Sequence, residues 1–346
     1  MTTALDHRDL YRLPWSLPDN AIAWLEATMK CNLACDGCYR ANVNEHKSPE
    51  QVGKDLDVFA RYRNTDGISI AGGDPLTHPQ IVDIVRMVAD RGWKPILNTN
   101  GLALTEDLLR EQKRAGLFGL TFHIDSKQHR PRWKNKTEQE HNELRLSYAE
   151  IVARVGGLTC SFNATIYQDT LDSVPDLVAW AQEHIDIVHV MVFICYRKLA
   201  ETSRFDYYVG GEKVDMRLLT YANTGQRIDI SARDVVATIR ERNPEFAPAA
   251  YLNGTEKPDS FKWLLAVRLG TRTASTDIWA ARWWSWRRSG TTCGPASIWR
   301  TLRPSCRATA NPSCCCGRSI AECAAPSSAR CARRVCCSAA STCSRS

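Results

Sequence analysis

GISIAGGDPLTHPQIVDIVRMVADRGWKPILNTNG, residues 67–101, contains one complete turn of the fold. Gly67–Ala71 is a short apolar run with glycines behind it, as in a buried strand. Pro79–Arg91 places Ile81, Ile84, Val85 and Val88 on one side of a helix, and Lys94–Leu97 is again strand-like. The same alternation extends in both directions. Strands are expected at Ala23–Lys30, Leu117–Ile124, Leu158–Ile166 and Ile187–Cys195. Helices are expected at Pro49–Tyr62, Glu106–Ala115 (opened by Thr105 as cap), Glu138–Val155 and Ser173–His184. Alternation of this kind predicts an α/β fold with a parallel sheet. Six units are too few for a closed eight-stranded barrel, so the expectation is an open, partial (βα)6 TIM-like barrel. Its chemistry belongs at the C-terminal ends of the strands.

The chain has 346 residues, 44% of them apolar and 24% charged, an ordinary globular composition. No apolar run is long enough to span a membrane, and the first 20 residues do not read as a secretory signal; a cytoplasmic location is expected. The net charge of +7 and the 15 cysteines mislead. Residues 271–346 hold 12 Arg, no Lys, 10 of the cysteines and only Asp277 and Glu322 as acids. The rest of the chain carries 33 basic against 36 acidic residues, which gives little support to a nucleic-acid substrate. The end segment has no Phe, Tyr or Met, and Cys314, Cys315 and Cys316 are consecutive, a spacing that suits neither disulfides nor a metal module. With suitable codons, reading one base earlier from Thr273 restores a normal helix and strand pattern. The expectation is therefore a frame-shifted, disordered tail without function.

CNLACDGCYR, residues 31–40, follows the first strand. Cys31, Cys35 and Cys38, spaced CxxxCxxC, can wrap three corners of a [4Fe–4S] cubane, which normally takes four cysteines. No convincing fourth partner precedes the tail, so one iron would remain open to another ligand. Three structural thiols, or a zinc site completed by His46, are the alternatives from spacing alone. After the strand at Gly67–Ala71 come Gly72, Gly73, Asp74 and Pro75; after the next come Asn98, Thr99, Asn100 and Gly101; after the next, His123 and Asp125.

In this order the motifs resemble the radical S-adenosylmethionine (radical SAM) superfamily. The resemblance implies a partial β/α barrel core over residues 21–230. It implies a [4Fe–4S] cluster on Cys31, Cys35 and Cys38, and S-adenosylmethionine on the open iron. Reductive cleavage would yield a 5′-deoxyadenosyl radical that abstracts a substrate hydrogen. Gly72, Gly73, Asp74 and Pro75 would meet the methionyl amino group, with Asp74 standing where Glu is usual. Asn98, Thr99 and Asn100 would line the mouth, and Asp125 would approach the methionyl carboxylate or the ribose. Asn163 and Thr165 would contact the ribose, and Tyr39 would lie against the adenine. His123 stands where Ser is common and is the one candidate for a catalytic role. Cys160 and Cys195 read as core thiols. HRPRWKNK, residues 129–136, reads as a solvated loop or a site for a substrate anion. Residues 1–20 are read as an N-terminal extension and 231–270 as a truncated substrate or lid segment. A small-molecule, peptide or lipid-precursor substrate and an electron donor such as flavodoxin or ferredoxin are implied. An iron–sulfur electron carrier without cofactor cleavage, or a zinc-binding structural protein, are the other readings.

Overall fold

The computed structural model describes residues 5–13, 18–36, 38, 42–196, 207–214, 230–253, 261–271 and 274–277. Tyr39, Arg197 and most of the stretch 271–346 lie outside them. In chain order the elements begin with β1 (Tyr11–Arg12), β2 (Ile22–Thr28), α1 (Pro49–Tyr62), β3 (Gly67–Gly72) and α2 (Ile81–Asp90). There follow β4 (Lys94–Thr99), α3 (Glu106–Arg114), β5 (Gly119–His123), α4 (His141–Val155), β6 (Thr159–Ile166), α5 (Val174–Glu183) and β7 (Val190–Cys195). The later elements are β8 (Tyr207–Val209), β9 (Glu212–Val214), α6 (Ala232–Arg242), β10 (Ala250–Leu252), β11 (Trp263–Leu265), β12 (Arg268–Thr271) and β13 (Ala274–Asp277).

Two compact units emerge. The larger comprises residues 17–181 and 187–235. Its sheet runs β2-β3-β4-β5-β6-β7, with every neighbouring pair parallel. Sequential parallel strands joined by right-handed crossovers must carry all their helices on one face. Accordingly α1 packs beside α2, α2 beside α3, and α3 beside α4. A twisted sheet covered on one side curls into an open partial barrel with its uncovered face inward. The helix-side face supplies the core: Leu25, Ile68, Ile70, Leu97, Leu120, Phe122 and Phe162 meet Leu56, Val85 and Val152. Alternation sends Asn98, Thr121, His123, Ser161, Asn163 and Thr165 to the inner face, where the register sets Asn98 beside Thr121 and His123 beside Asn163.

Several boundaries differ from expectation for local reasons. The helix expected from Pro79 begins at Ile81, because Pro75–Thr77 forms a separate 3-10 turn capped by Asp74. The helix expected from Glu138 begins at His141. Glu138 is instead drawn inward by Arg145, 2.8 Å away. The strand expected from Leu117 begins at Gly119, because Leu117 N–H closes the helix turn on the Gln112 carbonyl, 2.9 Å away. Thr105 caps α3 as expected, accepting from Leu108 N–H.

The second unit comprises residues 1–16, 182–186 and 236–346. Within it β1 pairs in parallel with β10, and β10 pairs antiparallel with β11. The N-terminal and 231–270 stretches, read as separate segments from sequence, thus share one small sheet.

Candidate functional site

The cysteine loop leaves the C-terminal end of β2 and is held from three sides. Asn42 brackets Cys31, its Oδ1 accepting from Cys31 N–H at 2.9 Å and its Nδ2 donating to the Cys31 carbonyl at 3.0 Å. Beneath the loop, Gly73 N–H donates to the Thr28 carbonyl and Asp74 N–H to the Lys30 carbonyl, at 2.8 and 2.7 Å. The glycines are required by this backbone contact. A Cβ at Gly72 would lie 2.0 Å from the Thr28 carbonyl oxygen, and one at Gly73 2.1 Å from that of Lys30. In the structure the close approach that these glycines allow is to the chain's own backbone. Above the loop, Asp36 N–H donates to the Lys127 carbonyl, and the Asp36 carboxylate meets His129 Nε2 at 2.5 Å.

Cys31, Cys35 and Cys38 are all partly buried and unoxidised. Burial raises the Cys31 thiol, and burial with the Asp125 carboxylate and the neighbouring thiols pushes Cys35 up to about 12. Three thiolates here therefore call for a positive partner among them. Among the described residues, no three Cys, His, Asp or Glu side chains converge on one point as a single-ion site requires. Thiols that each take a different corner of a cubane need no such convergence. His46, the suggested fourth zinc ligand, has Nδ1 2.8 Å from Thr28 Oγ1, and its ring stacks edge-on to His78.

Asp74 is fully buried. Its carboxylate accepts from Leu76 N–H, Thr99 Oγ1 and Asn100 N–H at 2.7–2.9 Å. It thereby ties the end of β3 to the end of β4. Both carboxylate oxygens accept hydrogen bonds within the protein. Burial raises its pKa against the pull of those donors. Thr99 and Asn100 are buried with it, Pro75 opens the buried 3-10 turn, and Asn98 is half-buried on the inner face.

At the end of β5, His123 Nε2 lies 3.0 Å from Asp125 Oδ2 and 2.9 Å from Thr165 Oγ1. An ionised carboxylate only accepts, so the proton is on Nε2; among the described residues Nδ1 has no partner. The His123 side chain is 33% exposed, whereas Asp125 is nearly enclosed. Burial pushes the Asp125 carboxyl up, but hydrogen bonds from His123, Lys127 N–H and Thr165 N–H prevail and hold it below the ordinary range. Asn163 is buried on the neighbouring strand, its carbonyl accepting from Ile124 N–H at 2.9 Å.

Two buried arginines had no reading of their own in the sequence. Arg130, in the stretch read as solvated loop or anion site, is 2% exposed. It donates to Gln128 Oε1, the Asn100 carbonyl and the His123 carbonyl, each at 2.7 Å. Arg145, fully buried on α4, pairs with Glu138 and donates to the Ile124 carbonyl at 2.8 Å. Composition alone carries no sign that these two charges point inward. A groove between β2 and α1, lined by Trp24, Glu26, Lys47 and Val58, contains none of the site residues.

Comparison with known proteins follows the same lines. The sequence pattern of the Radical SAM superfamily matches residues 25–181. The tungsten-containing aldehyde ferredoxin oxidoreductase cofactor-modifying protein of Pyrococcus furiosus is 32% identical over 110 residues, 30% of this chain and 30% of that protein. The probable GTP 3′,8-cyclase of Methanocaldococcus jannaschii is 32% identical over 107 residues, 30% of this chain and 35% of that one. The chain thus spans about a third of the length of these curated relatives. The crystal structure of Streptococcus suis SuiB superposes with a TM-score of 0.42 at 15% identity, covering 56% of this chain and 43% of that one. The stretch 25–181 contains the cysteine loop and the ends of five of the six sheet strands, and it is this stretch that matches the Radical SAM superfamily.

Proposed function

We propose that this chain is a radical SAM enzyme in which Cys31, Cys35 and Cys38 hold a [4Fe–4S] cluster. S-adenosylmethionine would occupy the open iron at the strand ends. The observation that carries the reading is three partly buried thiols on one loop after β2, braced by the Gly72–Asp74 segment inside the matched domain. The donor set fits, because soft thiolates are the ligands that iron–sulfur clusters take. When bound, the cluster supplies the electron that cleaves the sulfonium bond, giving a 5′-deoxyadenosyl radical that takes a hydrogen from substrate.

The chain's own residues position and exclude. Asp74, Thr99 and Asn100 form a buried brace that fixes the floor under the cysteine loop. Asn98, His123 and Asn163, on the inner face, are the groups offered to cofactor or substrate. With Nε2 engaged by Asp125 and Thr165, His123 Nδ1 is left to accept a hydrogen bond. A contact of Tyr39, which lies outside the described residues, with the adenine is part of the proposal. The proposed core spans 21–230. A small-molecule, peptide or lipid-precursor substrate and a flavodoxin- or ferredoxin-like donor are part of the proposal.

Anaerobic reconstitution of the full chain tests the first half of this reading. The reduced protein should contain about four irons and give an electron paramagnetic resonance (EPR) signal that changes when S-adenosylmethionine is added. Cys35→Ala should lose both the iron and the signal. A stable cluster whose spectrum ignores S-adenosylmethionine would favour an electron carrier instead.

A further inference from the structure

Arg130 is an unusual buried cation. Arg145, of similar burial, has Glu138 as its counter-ion; Arg130 has none among the described residues and donates to the Gln128 side chain and two backbone carbonyls. A guanidinium stays charged in proteins, so the charge remains in a low-dielectric setting. The Asp125 and Asp74 carboxylates favour its charged form from beyond hydrogen-bond distance. One of its carbonyl partners belongs to Asn100, whose orientation is fixed. Asn100 Oδ1 accepts from Leu102 N–H at 2.8 Å. Its Nδ2 must then face Asn32 Oδ1, 2.7 Å away, and Cys31 Sγ, 3.7 Å away.

We infer that Arg130 and Asn100 act as a positioning pair for the cluster loop. Asn100 places an amide N–H on the Cys31 sulfur, and Arg130 grips the Asn100 backbone and adds a positive charge behind the thiols. Both raise the reduction potential of a cluster held there, since hydrogen bonds to the sulfurs and local net charge set it. The inference rests on the proposed cluster and goes beyond it, because neither residue is a ligand.

The test is an EPR-monitored redox titration of the reconstituted full chain, alongside Asn100→Ser, Arg130→Met and Arg130→Lys. Asn100→Ser and Arg130→Met should load iron yet show midpoints shifted to more negative potential. Arg130→Lys, which keeps the charge, should recover most of the Arg130→Met shift. An unchanged midpoint in Asn100→Ser or in Arg130→Met overturns the inference, leaving Arg130 as a structural tie between Gln128 and the Asn100 and His123 carbonyls. If Arg130→Met does not fold, Asn100→Ser and Arg130→Lys decide: the first must shift and the second stay near wild type. Wild-type protein that takes up no cluster would instead defeat the proposed function, and this inference with it.

Discussion

Asp74 and Asp125 are both buried carboxylates at strand ends, yet their surroundings drive them in opposite directions. Asp125 is held below the ordinary carboxylate range by His123 and two backbone N–H groups. Its ionised form therefore stabilises the fold above about pH 4, and that contribution is lost as pH falls through its lowered value. Asp74 is raised by burial. Its contribution is greatest below the ordinary carboxylate value and declines as pH rises through its folded value. Urea unfolding from about pH 6 down to about pH 3 should show this: Asp125→Asn is less stable at the upper end and loses less on acidification than wild type. Equal acid slopes would contradict the assignment. Glu138 gives a second prediction at this scale. Glu138→Ala strands Arg145 as an unpaired buried charge and should cost about 3–5 kcal/mol in the same assay. A loss under about 1 kcal/mol, typical of an exposed pair, would contradict the burial. The residue identities at the strand ends were legible in sequence because motif order is linear. The inward turn of Asp74, Arg130 and Arg145 was not, since it depends on partners 7 to 30 positions away.

The elements show where pattern reading succeeds. Ser48 caps α1 through a reciprocal capping box with Gln51, and Pro49 occupies the first turn. Ser48→Ala should cost about 1 kcal/mol without altering cluster loading, as thermal unfolding and iron analysis would show. Gly73→Ala should behave differently. Its Cβ would meet the Lys30 carbonyl oxygen at 2.1 Å, backbone that cannot rotate away. The cysteine loop should be displaced and iron content fall to a small fraction of wild type. Normal iron loading in Gly73→Ala would show that the loop does not depend on this contact. The hydrophobic pattern identified β2 to β7 and α1 to α5: β4 and α2 bury one face each, whereas β3 reads as an apolar run because both its faces are buried, and β7 has only partly buried and exposed residues. The misplaced starts, at Ile81 and His141, lie where one side chain, Asp74 or Glu138, competes for the backbone or is pulled inward.

At the scale of the molecule, period and motif were enough to expect the six parallel strands of the larger unit. They did not reveal that Tyr11–Arg12 pairs with Ala250–Leu252, because two-residue and three-residue strands carry no period to read. The described residues reach Asp277, and no helix among them is long and apolar enough to cross a membrane. For the segment beyond about residue 271, sequencing of the gene is expected to show an inserted or deleted base near residues 270–275. An intact frame, with peptides of the Arg- and Cys-rich end found in cells by mass spectrometry, would contradict that. The account as a whole rests on one reaction. The anaerobically reconstituted chain, reduced in the presence of S-adenosylmethionine, should release 5′-deoxyadenosine, and Cys35→Ala should release none. A chain that carries its cluster, binds S-adenosylmethionine and still releases no 5′-deoxyadenosine above the Cys35→Ala background would contradict it.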